Sequence, residues 1–132
     1  MKKNNVDYYL KKQYAILAYK WCKRFFGANE RKRTKLSFEF TSRPRHLKRH
    51  VVFGNYCFFR NKITIHESAC KTIYDVVSTV IHEYTHYLQS RTQYREYQEN
   101  YYYSTNPYER EARRNEEKYT ELCIKEIRKL IN

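Results

Sequence analysis

The sequence predicts an α+β fold in which an N-terminal helix precedes a small antiparallel sheet, a motif-bearing helix and a C-terminal helix. Three observations carry the expectation. Apolar residues recur at helical spacing from Asp7 to Phe26 and from Thr72 to Gln89, residues 36–66 hold alternating or β-branched runs, and Asn106-Pro107 is a strong helix start. At 132 residues the chain fits one domain, 1–132, with room for one site.

The first helix places Tyr9, Leu10, Tyr14, Leu17, Trp21 and Phe25 as its apolar positions, and Gly27 follows as a C-cap. Leu36-Ser-Phe-Glu-Phe40 alternates at period two, as a half-buried strand does, and Ser42 to His50 reads as a basic loop around Pro44. His50 to Phe59 and Lys62 to His66 form an antiparallel hairpin turning at Arg60-Asn61. The next helix, Thr72 to Gln89, is free of Gly and Pro and repeats Ile73, Val76, Val77, Val80, Ile81, Tyr84 and Leu88. Ser90 to Thr105 either prolongs that helix or forms a rim beside it. The last helix runs from Pro107 to about Leu130, with Leu122, Ile127 and Leu130 among its core positions.

Low mean hydropathy alone would suggest disorder, but 15 Tyr within an aromatic content of 17% supply large bodies with polar tips, so the chain should fold. The first residues lack the apolar core of a signal peptide and no apolar run reaches 18 residues, so neither export nor membrane insertion is expected. Cys22, Cys57, Cys70 and Cys123 include no Cys-x-x-Cys pair, which points to free thiols in a reducing, cytoplasmic setting. The net charge of +13 is uneven: residues 1–62 hold 17 Lys and Arg against three acids, and residues 63–132 hold 10 against 11. Two basic clusters, Arg31, Lys32, Arg33 and Lys35, then Arg43, Arg45, Lys48 and Arg49, have aromatics nearby and suit a nucleic-acid or acidic partner.

The chemistry is concentrated in the other half. His82 and His86 stand four apart on a helix, so both imidazoles share one face a turn apart and can bind one tetrahedral Zn²⁺. Glu83 lies beside the first of them, where a carboxylate can take a proton from water instead of ligating. At this composition the pattern arises by chance in roughly two chains in a hundred, and here it falls in a strongly helical run.

Two histidines need a third protein ligand. No histidine follows His86, position 92 is Thr, and Met1 is the only methionine, so the metzincin extension and Met-turn are absent. The ligand is an acid downstream or one of His46, His50 and His66 upstream. Within Asn106-Pro-Tyr-Glu-Arg-Glu-Ala112, Glu109 falls in the first turn, where an acid complements the helix N-terminus, so Glu111 is assigned as ligand and Glu109 is the alternative. His66, at the end of its strand, is expected to have a structural or surface role, with contact to the site or to substrate backbone as the alternative.

His82-Glu83-x-x-His86 followed by Glu111-Ala112 resembles a compact gluzincin, with Asn115 where that family's pattern carries an Asp that orients a ligand histidine. The minimal zincin-like core of hairpin, active-site helix and second helix is similar to that of SprT-like and ImmA/IrrE-like peptidases, some of them phage-encoded, over roughly residues 50–125. The resemblance implies a zinc metallopeptidase with Glu83 as general base and His82, His86 and Glu111 as ligands. It also implies a peptide strand paired with a sheet edge, here Lys62 to Glu67, and an oxyanion-stabilising Tyr or His. The alternative is a basic zinc protein that binds nucleic acid or a partner, a phage particle component included, with peptidase activity secondary or lost.

Overall fold

The structure is a computed structural model that describes residues 4–32, 34–44, 46–47 and 50–131. Helix α1 (Asn4–Phe25) leads into β1 (Ser37–Thr41), a short pair β2 (His46–Leu47) and β3 (His50–Val51), and the hairpin β4 (Gly54–Cys57) and β5 (Lys62–His66). Helices α2 (Ile73–Leu88), α3 (Arg91–Asn100) and α4 (Pro107–Ile131) follow. The α+β order is the expected one, a helix, a small sheet and then the helices that hold the motif.

The sheet is mixed, however, and its order is β1-β5-β4. β4 and β5 pair antiparallel, with Cys57 opposite Lys62, across a turn in which Asn61 takes φ 50°. Asn tolerates that left-handed conformation because its short amide bonds locally, and here Asn61 accepts from the Tyr56 hydroxyl and donates to the Thr34 carbonyl. β1 adds to the other side of β5 in parallel, Ser37 opposite Lys62 and Thr41 opposite His66. Lys62 to Glu67 is therefore no free edge: β5 is the central strand, with β1 and β4 at the edges of the sheet.

α2 is the hub of the core. Thr72 and Asp75 form a reciprocal capping box at its start, which satisfies two backbone donors that a helix leaves unpaired. Val76, Val77, Val80, Ile81 and Tyr84 are fully buried against the sheet, α1 and α4. Gly54 permits the close approach of β4, since a Cβ there would lie 2.7 Å from Thr79 Cγ2 and 2.9 Å from the Thr64 carbonyl.

α1 turns a different face inward from the expected one. Tyr14 and Trp21 are buried, whereas Tyr9, Leu10 and Phe25 are exposed. The buried stripe runs through Lys11, Tyr14, Ala15, Ala18 and Cys22, whose small members let the helix lie close to α2. Lys11 tolerates burial because Asp7 and Glu67 meet its ammonium at 3.1 and 3.2 Å. The four cysteines are free thiols.

Candidate metal centre

His82 and His86 project from one face of α2, their ring centroids 5.0 Å apart. Each Nδ1 is tied to an acceptor: His82 donates to Glu116 Oε1 at 2.6 Å, and His86 donates to Gln89 Oε1 at 2.7 Å. That fixes the ring orientations and aims both Nε2 atoms at one point, as outer partners of metal-binding histidines do. The Glu109 carboxylate occupies that point, 3.2 Å from each Nε2.

The donor atoms of His82, His86 and Glu109 all lie within 4.8 Å of one another. Tetrahedral zinc, with bonds of about 2.0 Å, has neighbouring ligands roughly 3.3 Å apart, so the 3.2 Å separations fit two edges of such a site. Two neutral imidazoles and one carboxylate are a donor set that zinc favours. Among the described residues this is the one group of His, Cys, Asp and Glu able to hold a metal.

Glu111, assigned from the sequence, does not join the histidines. Its carboxylate accepts at 2.8 Å from Nε2 of Gln89, the residue whose other amide atom holds His86. Residues two apart on a helix point about 200° from one another, so only one of Glu109 and Glu111 can face α2. The buried stripe of α4 decides which: Glu109, Ala112, Thr120, Cys123 and Ile127 follow steps of three or four, with Glu116 in register. Leu122 and Leu130, taken as core positions from the sequence, are exposed.

The orienting residue is also displaced. Asn115 donates to the Thr85 hydroxyl instead of serving a ligand histidine, and Glu116 holds His82. Two features escaped the sequence reading: Glu116, seven residues and two turns beyond Glu109, and Gln89, the C-cap of α2. His66 lies apart from the triad, with its Nδ1 against the Arg43 carbonyl at 3.1 Å. The side chains of His46 and His50 fall outside the described residues.

Electrostatics bind the cluster together. Burial works against a charge on His82, but hydrogen bonds to Glu109 and Glu116 outweigh it and push its pKa up to about 10. His86 is raised by Glu109 against the same opposing burial. Burial likewise opposes ionisation of Glu109, yet the two imidazoles hold its carboxyl down to about 2. Burial raises the pKa of Glu83, which the histidines pull partly back.

The triad opens into a cleft of about 1120 Å³, walled by Gly54, Asn55 and Tyr56 of β4 on one side. α3 and the turn after it supply Tyr94, Gln98 and Tyr103, so the segment Ser90–Thr105 is a separate helix and a rim. Glu83 lines the same cleft next to the ligand face. Three protein ligands facing an open cleft suit hydrolysis, whereas a purely structural zinc is normally closed by four. The His82, Glu83, His86 and Glu109 arrangement is that of a compact His-Glu-x-x-His zinc triad, consistent with a small gluzincin and with a peptidase site using a glutamate base. No family model, curated protein or solved structure matches the chain.

Proposed function

We propose that residues 1–132 form a single zincin-like domain that hydrolyses peptide bonds, with zinc held by His82, His86 and Glu109 and with Glu83 as general base. The observation that carries this reading is the convergence of two Nε2 atoms and one carboxylate on the wall of an open cleft that Glu83 also lines. Zinc bound there would supply Lewis acidity, polarising the scissile carbonyl and acidifying water.

The chain's own groups do the rest. Glu83 takes a proton from water as the water oxygen attacks the carbonyl carbon, then passes it to the amide nitrogen as the C–N bond breaks. Its raised pKa, a result of burial, suits a group that must accept and return a proton. Tyr94 packs against the His86 ring at 5.5 Å and its pKa is pushed up to about 12, chiefly by burial. Its hydroxyl therefore keeps its proton at neutral pH and can donate to the oxygen that gains charge. β4 has no strand partner on its outer side among the described residues, and such an edge beside the cleft can pair with an extended peptide, which supports a protein or peptide substrate.

Replacing Glu83 with Gln tests the assignment. Zinc content should match the parent protein while cleavage of a quenched-fluorescent peptide library falls by a factor of at least about 10². Undiminished cleavage would remove Glu83 as base.

Among the described residues no helix is long and apolar enough to cross a membrane. The free thiols support a cytoplasmic setting. The excess of positive charge in residues 1–62 supports a nucleic-acid partner. Of the second basic cluster, Arg45, Lys48 and Arg49 lie outside the described residues, as does Arg33 of the first.

A further inference from the structure

Gln89, the partner of His86, also lines a second cavity, of about 320 Å³, formed by the connector after α1, the β4–β5 turn and the start of α3. Its lining includes Arg31, Lys32 and Arg91 and no acidic residue. None of the three cations forms an ion pair among the described residues. Three uncompensated charges around one cavity leave a demand for an anion.

Lys32 forms part of its wall. Its ammonium sits over the rings of Tyr56 and Phe58, 4.6 Å from each centroid, and donates to the Tyr56 hydroxyl at 2.8 Å. An ammonium has three donors, so two are left for a ligand. Burial, then the nearby Arg91 guanidinium, lower its pKa to about 8. An incoming anion would offset both effects by favouring the charged ammonium.

The opening of α3 adds to the demand. Ser90 caps the Gln93 N–H, and the backbone N–H groups of Arg91 and Thr92 begin the ten-residue helix beside the cations. A helix start with free N–H groups favours an anion, and phosphate most of all. Phe59 is 80% exposed, and the Arg91 guanidinium lies 4.6 Å from its ring centroid. A large ring held in water at the edge of a cationic pocket is suited to stack an unpaired base.

We propose that this pocket binds a phosphate of a single nucleic-acid strand, Lys32, Arg91 and the start of α3 holding the phosphate and Phe59 stacking the adjoining base. The proposal rests on the nucleic-acid reading above and not on zinc or hydrolysis. A small phosphorylated molecule would satisfy the cations, but the excess charge of residues 1–62 and the exposed ring favour a polyanion with base faces. A duplex offers phosphates but keeps its base faces stacked inside.

The test is fluorescence anisotropy of the full chain with a labelled ten-nucleotide thymidine strand, titrated across a salt series. Lys32→Gln with Arg91→Gln should lower the slope of log K against log salt by about 0.7 for each phosphate released. Arg91→Gln alone, at an exposed site, should give part of that loss even where the double variant folds poorly. Phe59→Ala should weaken binding about tenfold with the slope unchanged. Failure of the parent protein to bind the strand overturns both the pocket and the nucleic-acid reading. Binding that ignores all three changes overturns the pocket alone. Equal affinity for the matching duplex, or displacement of the strand by inorganic phosphate at equal phosphate concentration, also overturns it. The peptidase reading is untouched by any of these results.

Discussion

Exchange of Glu109 for Gln keeps the side chain's shape and removes the charge that meets both imidazoles at 3.2 Å. In the metal-free protein that carboxyl is lowered from an ordinary 4.5 to about 2, a difference worth on the order of 3 kcal/mol at neutral pH. Because the folded value is depressed, this stability is complete above the unfolded pKa of 4.5 and is lost as pH falls through about 2. For 132 residues, an unfolding entropy of roughly 0.28 kcal/mol/K converts 3 kcal/mol into a fall in Tm of about 10 °C. Zinc supplies a second readout, since a hundredfold loss of affinity removes about 2.7 kcal/mol of the stabilisation by saturating metal, a further 10 °C or so. Glu111→Gln alters the bond to Gln89, which in turn holds His86, so its zinc-induced shift should fall by about 5 °C at most, the equivalent of tenfold in affinity. Thermal melts with and without zinc, beside elemental analysis of the purified proteins, decide the matter. A Glu111 variant that loses zinc while the Glu109 variant keeps it would refute the choice of third ligand.

Glu116→Gln should weaken zinc by about 10- to 100-fold through loss of the charged partner of His82, measured by competition with a chromophoric chelator. Unchanged affinity would reduce Glu116 to a surface acid. Zinc binding at pH 7 should release protons, because the folded, metal-free His82 is raised to about 10 and must lose its proton to ligate. Calorimetry in buffers of different ionisation enthalpy reads the number released, and zero would contradict the cluster's charge state. The sign for folding is opposite to that of Glu109: the His82 contribution is complete below pH 6.5 and is lost as pH rises through about 10. Gly54→Ala should cost about 1–3 kcal/mol in a denaturant melt, since its Cβ would press on Thr79 and the Thr64 carbonyl. Adding Thr79→Ser should restore part of the loss, and no restoration would argue against contact between β4 and α2.

Local signals made α2 legible from the sequence. The absence of Gly and Pro and the apolar period place Ile73–Leu88 almost to the residue, and His82, Glu83 and His86 follow from spacing alone. The β4–β5 hairpin is legible for the same reason, since its partners are near neighbours in the chain. The parallel pairing of β1 with β5 is not, because it joins segments far apart in the chain whose alternation is compatible with either direction. α4 shows how an apolar pattern misleads. Leu122 and Leu130 attract attention as core residues, but the face that meets α2 is small or polar at most steps, with Glu109, Ala112, Glu116, Thr120 and Cys123. A stripe followed back from Ile127 in steps of three and four reaches Glu109 and bypasses Glu111.

The position that made Glu109 look like a mere helix-capping acid is also what fits it to hold a metal. Asn106 is buried and accepts from the N–H groups of Tyr108 and Glu109, at 2.9 and 3.4 Å, so the first turn of α4 is fixed in place. Pro107 has no N–H to leave unpaired, which sets the helix start one residue later. Glu109 then lies where the helix N-terminus favours negative charge, while the imidazoles of α2 favour it from the opposite side. Both influences keep the carboxylate ionised, the form that a metal requires. Glu111 lacks the second influence and spends its charge on a neutral amide. Helix capping and metal ligation are therefore not competing explanations for an acid at this position; the cap places the carboxylate, and the facing histidines determine what it can hold.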